Sequence, residues 1–302
     1  MKHIYLTLAV TILSLGVLAA DINDNAGSYG YQFLDISTNP VSLALAGRGI
    51  YSGSDLAAFI RQPAAATLNA HQSLGVSHSM WLGDTKYNNI YYSTSNRKAH
   101  FGLALRNLDY GEVEIRDENG FLIGYYSPLN MDMMANYALR ITPSIYAGFN
   151  AGVAYEKLNT DSSLGVHTDI GVTLLPPLKN TQLSLTVRNL GLSSAMNNDR
   201  TSFAPSFELD VSKAYEFPNI MLDVELSAIK AIDENWKAAV SSQMTLHDLV
   251  SLRAGYKVNY DAESLSAGIG IELKNFSVDY GWALFTSSLN DVHSIGLSYN
   301  FK

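Results

Sequence analysis

The sequence predicts an all-β fold: a transmembrane antiparallel β-barrel of about fourteen strands behind an N-terminal plug that is part helical, part irregular. Three observations predict it. Only 16% of the residues are charged against 47% apolar, too little charge to coat a soluble surface of this size. Beyond residue 20, no uninterrupted apolar run approaches the ~20 residues that a membrane helix needs. Instead, from about Ser73 onward, apolar residues recur with a period of two, which puts them on one face of a sheet.

The chain opens with Lys2 and His3, an apolar stretch from Ile4 to Leu18, and the small residues Ala19 and Ala20. This is the order of a secretory signal, so residues 1–20 are expected to be removed on export and the mature chain to begin near Ala20 or Asp21. There is no cysteine, which excludes disulfides, thiolate metal sites and a lipidated N-terminal cysteine. The net charge of −8 argues against a nucleic-acid partner.

Residues 21–70 differ from the rest of the chain. Val41 to Ile50 is rich in Ala, Leu and Gly, and Asp55 to Arg61 has helical spacing and is closed by Pro63. So apolar a segment is expected inside the barrel mouth or packed on one barrel end. Phe33, Leu34 and Phe59 would anchor it to the wall, or else line a route for a hydrophobic ligand.

Residues 71–302 carry the alternation. Phe101, Leu103 and Leu105 oppose Gly102, Ala104 and Arg106, and Leu265, Ala267, Ile269 and Ile271 oppose Ser266, Gly268 and Gly270. Segments centre near residues 78, 91, 103, 135, 149, 169, 185, 209, 224, 240, 254, 269, 279 and 297, separated by turn signals such as Asn119-Gly120 and Pro218-Asn219. Tyrosine is abundant, at 18, as aromatic girdles at the two bilayer interfaces require. Glycine recurs on the polar face, leaving room for a plug. The charges there, Arg106, Arg140, Arg188, Glu208, Asp210, Asp223, Glu225, Arg253, Glu272 and Asp279, are expected to point inward and pair, because each would be costly against lipid. The final strand places Tyr299 and Phe301 on one face with Ile295 and Leu297, which resembles the C-terminal signal read by the barrel-insertion machinery.

Catalysis and cofactors find little footing. His167 and Asp169 share a strand face, with Glu156 and Ser163 near them, but lumen-lining polar side chains are the plainer reading. The remaining histidines lack ligand spacing, and Gly47-Arg48-Gly49 lacks the lysine and further glycine of a phosphate loop and reads as a tight turn. No enzymatic activity, cofactor or metal is expected.

Gly30-Tyr31-Gln32-Phe33-Leu34, Ser42 to Gly49 with Gly47 and Arg48, Asp55-Leu56-Ala57-Ala58 and Gln62-Pro63-Ala64 together resemble the opening of the PorV/PorQ family. Tyr110-Gly111-Glu112 leading to Asp117 and Gly120, Ser127 through Asp132 to Tyr137-Ala138, and Arg188-Asn189-Leu190-Gly191 extend the resemblance along the chain. Gln62 stands where that family has Asn. The resemblance implies a bacterial outer-membrane protein, similar to FadL-type fourteen-stranded barrels; the chain departs from the family in being short, so long external loops are expected to be absent. Its role would be accessory to type IX secretion, binding or shuttling secreted cargo. The alternative within the same architecture is FadL-like transport of hydrophobic small molecules. The partners implied are outer-membrane lipid, the insertion machinery and, on the first role, type IX components and their cargo.

Overall fold

The computed structural model describes residues 23–48, 55–68, 71–96, 98–286 and 289–301. The export signal read at residues 1–20 lies outside them, as do Gly49 and the junction at 69–70. Fourteen strands form a closed barrel: β1 His71–Met80, β2 Lys86–Ser95, β3 Ala99–Asp109, β4 Leu129–Thr142, β5 Ile145–Lys157, β6 Ser162–Leu174, β7 Thr181–Ser193, β8 Ser206–Phe217, β9 Ile220–Ala231, β10 Lys237–Leu246, β11 Val250–Val258, β12 Glu263–Leu273, β13 Phe276–Phe285 and β14 Val292–Asn300. Each pairs antiparallel with the next, and β14 closes on β1 from Ser73↔Asn300 to Met80↔His293. Every segment centre read from the periodicity falls inside one of these strands. No helix among the described residues is long and apolar enough to cross a membrane.

The faces sort as the alternation requires. On β3, His100, Gly102, Ala104, Arg106 and Leu108 turn toward the lumen, while Phe101, Leu103 and Leu105 are about 40% exposed on the outside. Phe217, Phe276, Tyr299 and Phe301 gather at one rim; the Phe276 and Tyr299 rings lie 4.8 Å apart and those of Tyr299 and Phe301 5.0 Å. That rim carries the short turns, such as 143–144, 218–219 and 274–275, and the C-terminal end of β14. The opposite rim carries the longer connections 110–128 and 194–205, so by the general plan of bacterial barrels it is the external one. The expected lack of long external loops is overturned there. Residues 110–128 form a hairpin, Val113–Arg116 with Leu122–Tyr126, whose strands pair with each other and stand outside the wall.

The plug threads the lumen from one rim to the other. Asn25 Nδ2 donates to Ile232 O near the external rim, Tyr29–Gly30 pairs in parallel with Ser202–Phe203, and residue 71 enters β1 at the short-turn rim. Helix α1, Pro40–Ala44, starts where Asn39 Oδ1 accepts from Ser42 N at 2.8 Å and Pro40 fills the first position. It stops at Ala46, in the left-handed region at φ 56°, and Gly47 N–H returns to Ser42 O at 2.7 Å. The glycines of the luminal face let the plug lie directly on the wall. A Cβ at Gly102 would sit 2.7 Å from the Phe59 ring, and one at Gly148 2.6 Å from Pro63 O. The core of this protein is therefore the lumen itself. Gly102→Val is expected to unseat Phe59 and with it the lower plug. Limited proteolysis of folded, heat-modifiable barrel should then cleave the plug where the wild type resists.

Candidate functional site: the plug seat and the break between β7 and β8

Three sets of side chains hold the plug. At the external mouth Tyr31, Phe33 and Leu34 pack with Tyr87, Leu108 and Phe203, all buried. Tyr31 stacks on Phe203 with centroids 4.2 Å apart, its hydroxyl meets Ser163 Oγ at 2.7 Å, and its N–H donates to Glu156 Oε1. Lower down, Phe59 and Ile60 pack with Tyr91, Ala104 and Met134. There two wall asparagines grip plug carbonyls: Asn150 Nδ2 donates to Phe59 O at 3.1 Å, and Asn136 Nδ2 to Pro63 O at 3.2 Å.

Between these layers lie the buried charges. Glu208 on β8 accepts from Arg48 at 2.6 Å and Arg61 at 2.9 Å, both on the plug, and faces Arg188 at 3.4 Å. Arg188 also pairs with Asp35 at 2.8 Å. Gln62 bonds Asp210. On β3, β4 and β6, Arg106 pairs with Asp132 at 2.7 Å, and Asp132 in turn holds His167 Nε2 at 2.7 Å. Arg106 and Arg188 converge on a single plug carbonyl, Leu34 O, at 3.2 and 3.1 Å. Arg253 pairs with Asp279. The inward, paired arrangement holds for these groups; Asp223 and Glu225 also turn inward, Asp223 with neither carboxylate oxygen hydrogen-bonded, and the arrangement fails for Arg140 and Glu272. Both are exposed, because they stand at the short-turn ends of β4 and β12, beyond the depth where lipid would forbid them.

His167 and Asp169 face the lumen without facing each other. Asp169 receives Asn150 Nδ2 and the Asn189 N–H, His167 is held by Asp132, and Ser163 and Glu156 both hold Tyr31, so the four residues weighed for catalysis are spread over three separate contacts. Asp55 sits on the plug, outside the spanning strands, with its Oδ1 taking Asn39 Nδ2 at 2.6 Å and Ala57 N at 3.0 Å. Burial pushes its carboxyl up to about 6 in spite of these bonds, Arg253 drawing it down and Asp279 up. Burial likewise raises the Tyr31 hydroxyl.

The space left between plug and wall is small. A cavity of about 20 Å³ lies among Leu34, Ile36, Ile60, Arg48 and Arg106, room for about one water. A polar one of about 80 Å³ lies among Asp35, Arg61, Lys237, Lys257 and Tyr260.

One seam of the wall ends unevenly. β7 pairs with β8 only as far as Arg188↔Ser206, then continues to Ser193 bonded to β6 alone. A bulge between Val187 and Leu190 turns Arg188 and Asn189 both inward, with Asn189 at φ 58°. Past it the chain does not extend β8 upward; residues 202–204 turn into the lumen, with Phe203 and Ala204 buried.

The chain thus folds as a closed fourteen-strand antiparallel barrel around a luminal plug. Solved structures share that fold. Among them are the toluene transporter TbuX of Ralstonia pickettii (12% identity, TM-score 0.59, 89% of this chain and 100% of that one) and the toluene transporter TodX of Pseudomonas putida (12%, 0.61, 87% and 97%). A FadL homologue of Pseudomonas aeruginosa matches as well (10%, 0.52, 88% and 98%). No family model and no curated protein matches the sequence.

Of the residues singled out in the sequence, Tyr31, Phe33, Leu34, Arg48, Asp55, Phe59 and Pro63 are all buried in the plug seat, and Gly47 makes the turn after α1. Sequence reasoning misses Phe203, Asn136 and Asn150. The asparagines do lie on the polar face of β4 and β5, but Phe203 sits in a connection where no period marks it.

Glu208→Gln leaves three guanidinium groups without their shared carboxylate. Breaking a buried pair costs about 3–5 kcal/mol, which should appear as plug cleavage by protease at a lower urea concentration than in the wild type. For Asp55 the raised pKa means that the ionised form is disfavoured in the seated plug. That penalty is present at pH 7 and is relieved as pH falls through 6, while the unfolded carboxyl stays ionised down to about 3.9. Plug protection measured against Asp55→Asn should therefore rise from pH 7 to pH 5 in the wild type relative to the variant.

Proposed function

We propose that this protein admits hydrophobic small molecules through the outer membrane, by way of the break between β7 and β8. The observation that carries this reading is the loss of wall pairing above Arg188↔Ser206, beside an apolar mouth built from Tyr31, Phe33, Leu34 and Phe203. A straight axial pore is poorly served by a lumen filled with paired charges. A side route needs only the upper plug to shift, and it delivers an apolar molecule from lipid to an apolar cluster. The toluene transporters named above share the fold, which supports the same reading. The role is non-enzymatic, since His167, Asp169, Glu156 and Ser163 are spread over separate contacts and gather into no shared site among the described residues.

Deleting Asn189 removes the extra residue of the bulge and should let pairing run on. Uptake of labelled toluene by intact cells lacking their own hydrophobic-compound channel should fall several-fold in this variant, with the barrel still heat-modifiable. Wild-type uptake no greater than that of cells without the protein would end the transport reading.

A second reading, accessory to type IX secretion, is favoured by one feature besides the PorV/PorQ resemblance. The external hairpin exposes Phe121, Ile123 and Tyr125, an apolar rim on which a secreted partner could sit. Capture of secreted proteins by the wild type but not by a hairpin deletion would select it. On either reading Tyr299 and Phe301 address the chain to the insertion machinery, and Phe301→Ala is expected to lower the yield of folded barrel in the outer membrane.

A further inference from the structure

We propose that the recess lined by Gly165, Gly191 and Tyr31 is a seat for a single aromatic ring, and that Phe203 is a resident ring which the incoming molecule displaces. This seat rests on the transport reading and gives that route its ligand class and its gate.

Phe203 belongs neither to the wall nor to the plug; it comes from the external connection 194–205 and is 2% exposed. One side of its ring lies on two glycines of neighbouring strands. A Cβ on Gly165 would fall 2.5 Å from the ring, and one on Gly191 2.6 Å from it. Any other residue at either position would fill the recess, so the wall is hollowed to the depth of a flat ring. The other side is covered by Tyr31, stacked at 4.2 Å with 14° between the planes, and His167 tilts against the edge at 5.7 Å. Aromatic rings select one another in such stacks by about 0.5–1.5 kcal/mol beyond simple burial, so the seat prefers a ring to an alkane of equal size.

Two further observations separate this cluster from ordinary packing. Tyr31 adopts φ 61°, the left-handed region that a bulky side chain rarely enters, and it is held there by the bonds to Glu156 and Ser163. Gly191 is exposed although it floors the recess, because β8 has already parted from β7 at that level. A molecule entering through the break thus meets Phe203 first. Phe203 is tethered by two backbone pairings, Tyr29↔Ser202 and Gly30↔Phe203, and by Ser193 bonding Thr201 O. These are few enough to let the 201–204 segment swing outward while the barrel stays closed below.

The test uses the full-length mature protein in detergent, with binding followed by 19F NMR of fluorobenzene and of fluorocyclohexane. Phe203→Ala empties the seat, and an apolar cavity of ring size stays dry and takes up a ring. It should bind fluorobenzene about tenfold more tightly than the wild type, with a clearly smaller gain for fluorocyclohexane. Adding Tyr31→Leu should abolish the difference between the two probes. Phe203→Leu, which partly fills the recess and preserves packing, should give an intermediate gain and keeps the question decidable if the alanine variant does not fold. Equal gains for both probes, or none, in folded protein would overturn the seat. Toluene uptake by cells carrying the wild type separates the two ideas: uptake without ring-selective binding removes only the seat, whereas ring-selective binding without uptake removes only the transport reading.

Discussion

In hydrocarbon every backbone amide and carbonyl must find its partner within the protein, and that requirement closes the wall of this molecule. Fourteen strands pair around a full circle, with β14 returned to β1, so the barrel has no terminal edge strand. The closure then dictates the rest. Outward positions must be apolar, inward ones enclose a lumen, and whatever fills that lumen must answer polar groups that can no longer reach water.

The lumen is filled by three kinds of fit. Glycine gives up its side chain so that plug backbone or rings lie against the wall, as at Gly102 and Gly148. Asparagine turns amide groups to the plug's unpaired carbonyls, at Asn136 and Asn150. Charge is settled in groups that cross from wall to plug, with Glu208 shared by Arg48, Arg61 and Arg188 and with Leu34 O shared by Arg106 and Arg188. Such groups add specificity more than stability, because each ion gives up hydration that its partners must replace. They fix the height and rotation of the plug, which apolar contacts alone would leave loose.

Against that order, the parting of β7 from β8 stands out as the place where closure is met by other means. The bulge at Arg188 and Asn189 ends the pairing, and the segment before β8 bends inward to pair with Tyr29 and Gly30 of the plug. Wall and plug thus share one short sheet at the external mouth. Among the described residues, the charge-bound middle and the asparagine-bound lower plug meet the wall through side chains and share no sheet with it.

The sequence by itself determined the barrel. Its period of two, its segment lengths and its scarcity of charge name a membrane wall, because a strand facing lipid on one side and a lumen on the other leaves its signature at every second residue. The same rule made the inward charges legible at Arg106, Arg188 and Glu208, and misplaced Arg140 and Glu272, since alternation says which face a residue takes but not at what depth. The composition of residues 21–70 announced a buried segment. Only the tertiary structure decided how it is seated: that Arg48 and Arg61 meet the same carboxylate, that Phe59 lies on Gly102, and that Phe203 stacks on Tyr31. These contacts join residues far apart along the chain, one of them drawn from an irregular connection. Period and propensity act between near neighbours, and they carry no record of which distant groups a closed wall will bring together.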